Sequence, residues 1–197
     1  MYSVQEIKEI FRNKLANNEF KFDKRTNQKF IEIVNANFIA NSQWIIYHNH
    51  IIPPTLQWYE DFYMPLVGNQ IDKVVNLIKN DYDTRQAYIG MIVPEKYHNG
   101  DMTCTIGMQA IYRSKDNKLD YIVYMRSNNV CQFTQDYKWQ LSIWLDIIHK
   151  LEQELNHEIN LGTMYWNVGS LHIYEEDFKF LSDDTKIAKA LIELEKM

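Results

Sequence analysis

Cys104 is the residue with the most chemistry to offer. It stands in "GDMTCTIGMQ" (Gly100–Gln109), between a proline-containing loop and an alternating apolar run, and it is one of two cysteines in 197 residues. A thiol in that setting is either small apolar filler or a nucleophile. Elsewhere the chain carries groups that could grip a small anion: Arg126 and Ser127 in "MRSNN", Arg85 in "TRQA" and Arg25 in "DKRTN". A guanidinium is planar and can bind two phosphate oxygens at once, although an isolated arginine is more often a solvated surface charge. His172 and Tyr174 in "LHIY" are two residues apart, so a strand would present both on one face. Asp136 precedes "YKWQL" and suits a helix N-cap. The two cysteines are far apart and form no CxxC pair, which argues against a disulfide framework and against a structural zinc; no metal site is expected.

These residues need elements to position them. Val4, Ile7, Ile10, Phe11 and Leu15 have the three-and-four spacing of an amphipathic helix. "FKFDKRTNQKFIEIVNANFIA" reads as strands broken by a polar turn at Lys24–Gln28, and Pro53-Pro54 fixes a turn before a helix through Leu56, Trp58, Tyr59 and Phe62. Apolar residues at 71, 74, 75 and 78 predict another helix. "QAYIGMIVP" predicts a buried strand ending at Pro94. Two β-rich runs, "CTIGMQAIYRS" and "LDYIVYMRS", flank the turn "KDNK". "YKWQLSIWLDIIHKLEQEL" predicts the longest helix, "TMYWNVGSLHIY" the last strand, and "TKIAKALIELEK" a final helix. Helices and strands mix without a regular βαβ repeat, so the fold class is α+β.

The length suits one domain, and no linker or repeat divides residues 1–197. With 46% hydrophobic and 14% aromatic residues, disorder is excluded. A formal net charge of -5 gives no overall attraction to nucleic acid or anionic membrane. No apolar run approaches a bilayer span, and "MYSVQEIKEIF" lacks the features of a signal peptide. A cytoplasmic location with reduced thiols is the expectation.

In order along the chain, "TRQA", "DMTCT", "DNKLDYIVYMRSNN", "QDYKW" and "WNVGSLHIYEEDF" resemble motifs of the thymidylate synthase superfamily, closest to its viral deoxypyrimidine nucleotide hydroxymethylases. The likeness spans roughly Lys21 to Phe178. It implies a thymidylate synthase-like fold and a reaction in which a cysteine thiolate adds to carbon 6 of a pyrimidine nucleotide. Carbon 5 then becomes nucleophilic enough to take a one-carbon unit from methylenetetrahydrofolate. Reduction would give methyl, and capture by water hydroxymethyl.

By this resemblance Cys104 is the nucleophile and Cys131 packing. Arg126 and Ser127 match phosphate contacts, and Arg126 would also favour the nearby thiolate. Arg85 matches a phosphate arginine that the family supplies across a two-fold interface, which implies a homodimer with shared sites. Arg25 corresponds to the phosphate arginine of a mobile loop. His172 and Tyr174 match the pair that binds the sugar 3′-hydroxyl. Asp136 matches the residue reading the pyrimidine edge, where aspartate suits the 4-amino group of cytosine and asparagine suits uracil. A cytidine nucleotide, dCMP, is therefore favoured over dUMP.

The sequence also departs from the family. A catalytic glutamate is expected where "TLQWYED" places Thr55, and a threonine cannot take up and return a proton near neutral pH. Glu60, Glu32 and Asp61 do not fill that place. The segment carrying folate contacts is shortened to "FYMPLVGNQ", and Asn129 stands where an aspartate binds the pterin. Each lost charge-assisted contact costs roughly 1.5–3 kcal/mol. Three readings follow: a dCMP hydroxymethylase-like transferase; a pyrimidine nucleotide-binding relative without catalysis, such as the partner of an active paralogue; and a folate-independent enzyme that keeps the chemistry of Cys104.

Overall fold

Ser3 accepts a hydrogen bond from the Glu6 N–H while the Glu6 carboxylate accepts from the Ser3 N–H. This capping box starts α1, Val4–Ala16, whose Ile7 and Phe11 are fully buried. A computed structural model describes residues 1–40, 57–93 and 102–182. The expected Pro53-Pro54 turn, Thr55 and the final helix lie outside the described residues.

Six strands form one mixed sheet among the described residues, in the order β1-β2-β6-β5-β4-β3. They are β1 Lys21–Asp23, β2 Gln28–Ala40, β3 Tyr88–Gly90, β4 Thr105–Arg113, β5 Lys118–Asn129 and β6 Asn160–Tyr174. Every pairing is antiparallel except β5 with β6. That parallel pair requires a crossover, supplied by α4, Phe133–Leu155. The helices α2 Met64–Val67, α3 Gln70–Asn80 and α5 Lys179–Ser182 complete the set, with a π-helical turn at Tyr59–Tyr63. This is the α+β class that the sequence predicts.

One face of the sheet packs the core. Trp139, Ile143, Ile147, Ile148 and Leu151 on α4 are buried as their spacing requires. Trp144 stacks on Tyr121 at 5.9 Å and donates to the Leu119 carbonyl at 3.1 Å. Phe133 packs against Trp166 and Phe38. The other face carries a cross-strand row in which Ile39 pairs with Tyr165, Tyr165 with Ile122, Ile122 with Gln109 and Gln109 with Tyr88. Ile39 and Tyr88 at its ends are exposed.

Two boundaries differ from the sequence expectation. The strand expected through "QAYIGMIVP" is only Tyr88–Gly90. It is the edge of the sheet, and the Gln70 side chain occupies its outer side, accepting from the Gly90 N–H at 2.9 Å and donating to the Gly90 carbonyl at 3.0 Å. Helix α4 starts at Phe133, with Gln132 as N-cap, so Asp136 lies in its first turn and does not cap it.

Gly169 lets β6 approach β5 where the site is built. A Cβ there would meet the Arg126 carbonyl oxygen at 2.7 Å, so the strands could not keep this spacing around any larger residue. Gly169→Ala should cost about 1–3 kcal/mol and lower the melting temperature by roughly 2–4 °C per kcal/mol, as thermal unfolding would measure.

Candidate active site

Cys104 sits immediately before β4, opposite the end of β5. The Arg126 N–H donates to the Cys104 carbonyl at 2.7 Å, extending the β4–β5 ladder by one pair. This brings two side chains of β5 to the half-buried thiol: Ser127 Oγ is 3.7 Å and Arg126 Nη2 4.0 Å from Sγ. The guanidinium also reaches the Met102 carbonyl at 3.5 Å. Cys131 lies in a short helical turn after β5, its N–H bonded to Asn129 Oδ1 at 3.0 Å, and packs against the core.

Beside the thiol opens a cleft of about 560 Å³, which Met102, Arg126 and Ser127 line at one end and Asp23, Arg25 and Phe30 at the other. Glu32, Ser170, His172 and Tyr174 form its wall. The sheet register explains the gathering: Ser127 pairs with Ser170, Glu32 with His172, and Phe30 with Tyr174. The structure thus brings Cys104, Arg126, Ser127, His172, Tyr174 and Arg25 to one place. The spacing of two does put His172 and Tyr174 on one strand face, with ring centroids 5.1 Å apart.

The cleft is electrically mixed. Arg25 is bound to Asp23, whose Oδ1 accepts the Arg25 N–H at 2.9 Å. The Asp23 carboxyl is held below the usual range, first by the Tyr174 hydroxyl, which donates to it at 2.9 Å, and then by the Arg25 N–H. Burial raises the Glu32 pKa, but hydrogen bonds from Lys21 and Ser170 outweigh it and leave the group below its ordinary value. Burial lowers the pKa of His172, so the ring is neutral at pH 7 and offers one donor and one acceptor.

Asp136 does not line this cleft. It is 8% exposed, and Asn128 of β5 ties it to the site by donating to Oδ2 at 2.5 Å. Tyr59 donates to Oδ1 at 2.8 Å. Burial pushes the Asp136 pKa up to about 6, against the pull of these two bonds. The Tyr63 hydroxyl accepts from the Cys104 N–H at 3.4 Å, so the same helical turn touches both the backbone that carries the thiol and the carboxylate. Burial, followed by Asp136 for Tyr59 and by Cys104 for Tyr63, pushes both phenols well above their ordinary value.

Arg85 stands apart from these groups. It is exposed before β3, its carbonyl accepting from Gln109 Nε2 at 2.8 Å, next to the apolar row on the outer sheet face. Glu60 and Asp61 are exposed, and Asp61 accepts from Gln57 at 2.9 Å.

Sequence reasoning missed Tyr59, Tyr63, Asn128, Asp23 and Ser170 and discounted Glu32. The aromatic pair four apart in "WYEDFY" was the available signal for the tyrosines. π-Helical turns occur frequently at functional sites, but only coordinates show one.

No protein-family model matches the chain. Curated proteins do. Deoxycytidylate 5-hydroxymethyltransferases of Enterobacteria phages T4, T2 and T6 are each 27% identical over 223 residues, covering 89% of this chain and 88% of the relative. The chain is distantly similar to phage deoxycytidylate hydroxymethyltransferases. That likeness supports a distant thymidylate synthase-like relation, and the mixed sheet with helices is compatible with it. No described helix is long and apolar enough to cross a membrane.

The buried carboxyl has a consequence for stability. Because the folded-state pKa of Asp136 lies above its unfolded value, its contribution is fully present below about pH 4 and is lost as pH rises through about 6. A shift of about two units corresponds to roughly 2–3 kcal/mol. Denaturant unfolding of the Asp136→Asn variant should show a flatter pH dependence than wild type between pH 4 and 7; parallel profiles would contradict this.

Proposed function

We propose that the protein is a pyrimidine deoxynucleotide carbon-5 transferase of the deoxycytidylate hydroxymethylase kind, with Cys104 as the nucleophile. The observation that carries the proposal is the contact of Cys104 with Arg126 and Ser127 at the end of a cleft walled by His172 and Tyr174. In this reading the nucleotide phosphate lies between Arg126 and Arg25, exchanging for the contact of Arg25 with Asp23. The sugar hydroxyl meets His172 and Tyr174, and the ring turns toward Cys104. Sγ adds to carbon 6, the electron pair moves to carbon 5, and carbon 5 attacks a one-carbon electrophile. Loss of the carbon-5 proton expels the group that carried the carbon and leaves an exocyclic methylene. Water adds there, and the electron pair returning through carbon 5 expels the thiolate from carbon 6 and restores the ring.

A second copy of the chain completes this reading. The row from Ile39 to Tyr88 is a largely apolar sheet face, and Arg85 lies beside it, away from the chain's own cleft. Two copies meeting on these faces could exchange Arg85 between sites.

The one-carbon donor that the resemblance implies is methylenetetrahydrofolate. One described residue departs from what the resemblance implies for its pterin: Asn129 stands where an aspartate is expected, and its side-chain oxygen accepts from the Cys131 N–H. No step is therefore routed through folate. With Thr55 in place of the glutamate, the same observation favours a second reading: a relative that binds the nucleotide without folate, either as a silent partner or for folate-free chemistry at carbon 5.

Calorimetry should detect dCMP binding, weakened about tenfold to a hundredfold by Arg126→Leu, the loss expected for one charge-assisted contact. Absence of any nucleotide binding would remove both readings. Incubation with dCMP and methylenetetrahydrofolate should give a hydroxymethylated product by mass spectrometry, abolished by Cys104→Ser. Bound dCMP without product would reject the transferase. Tritium release from carbon 5 without folate, lost in Cys104→Ser, would then identify folate-free chemistry.

A further inference from the structure

The π-helical turn joins the two chemically distinct parts of the site, and the joining residue is Tyr59. Its hydroxyl donates to Asp136 Oδ1 at 2.8 Å, and its ring stacks on Trp139 at 5.7 Å and meets Tyr63 edge-on at 5.5 Å. Tyr59 is 5% exposed and Trp139 fully buried, so the phenol has little freedom to turn. Asn128 fixes the other carboxylate oxygen from β5, the strand that also carries Arg126 and Ser127. Each oxygen therefore has one committed donor and one remaining acceptor site.

We propose that Tyr59 is a positioning residue that holds Asp136 in the orientation and ionised state needed to prefer cytosine over uracil. This rests on the nucleotide reading above and on the base-edge role that the resemblance implies for Asp136, which lies outside the cleft wall but is joined to the Cys104 backbone through the turn of Tyr59 and Tyr63. An ionised carboxylate can only accept, which suits the 4-amino group of cytosine. A protonated carboxyl can donate, which suits the 4-carbonyl of uracil. The preference then follows the protonation of one group, and the Tyr59 hydroxyl stabilises the ionised form. The titratable groups around Asp136 are Tyr59 and Tyr63 on the turn and Tyr137, which follows it on α4; Tyr63 in turn feels Cys104 and Arg126. Burial alone would keep the carboxyl protonated to higher pH, and the Tyr59 and Asn128 bonds oppose it.

The test has two arms. In the free protein, carbon-13 NMR of the Asp136 carboxyl should show its titration midpoint moving to higher pH in Tyr59→Phe. An unchanged midpoint would overturn the positioning role whether or not any nucleotide binds. In the second arm, the ratio of dCMP to dUMP affinity is measured from pH 5 to 8.5, so that the titration of the phosphate common to both cancels. Wild type should gain dCMP preference as pH rises through about 6. Tyr59→Phe should lose about tenfold of that preference at pH 7 and recover it at pH 8.5; a merely structural lesion would not be repaired by pH. A flat wild-type ratio with both nucleotides bound would sink the proposal even if the variant fails to fold. If wild type binds neither nucleotide, the nucleotide reading fails and the base preference with it, while the NMR arm still decides the link between Tyr59 and Asp136.

Discussion

The backbone bond from the Arg126 N–H to the Cys104 carbonyl is the constraint on which the site depends. It fixes the head of β4 against the end of β5, so that a thiol and a guanidinium 22 residues apart in sequence meet at 4.0 Å. On its other side β5 runs parallel to β6, and this register sets Ser127 beside Ser170 and, two residues on, the cleft wall of His172. Gly169 allows that second strand to come close enough. A slip of one residue in either pairing would turn these side chains to the opposite face.

The two faces of the sheet divide the labour. Ser127, Ser170 and His172 point into the cleft, whereas their neighbour Asn128 points into the core, where it meets Asp136. Strict alternation would set Arg126 and Asn128 on one face. The pattern slips between the buried Met125 and Asn128, so Arg126 and Ser127 both reach the thiol while Asn128 meets the buried carboxylate. The carboxylate tolerates its surroundings because both oxygens are bonded, and even so burial holds its pKa near 6.

Much of this was legible in the sequence where local physics decides. The alternation in "LDYIVYMRS" and "TMYWNVGSLHIY" gave β5 and β6 to within a few residues, and the stripe of Trp139, Ile143 and Ile147 gave the buried side of α4. The grouping of Cys104 with Arg126, Ser127, His172 and Tyr174 came from motif resemblance, because spacing cannot say which strands are neighbours. Long-range choices were not legible. The partners of Asp136 come from residue 59, through a helical turn that inserts an extra residue, and from residue 128, through strand pleat. Its apparent N-cap position failed because α4 starts three residues earlier, at Phe133. The short β3 reflects a side-chain cover by Gln70 that no propensity encodes.

The parallel pairing of β5 with β6 also orders events as the chain folds. The β4–β5 hairpin closes locally and by itself brings the thiol to the guanidinium. The cleft wall cannot join until all of α4 has formed and crossed over, since β6 lies beyond it in sequence. Contacts of long sequence separation form late because loop closure must be met first. A nascent chain therefore sets the Cys104 sulfur beside a cation before the cleft wall is in place, and that interval leaves the thiol open to whatever oxidant its surroundings hold.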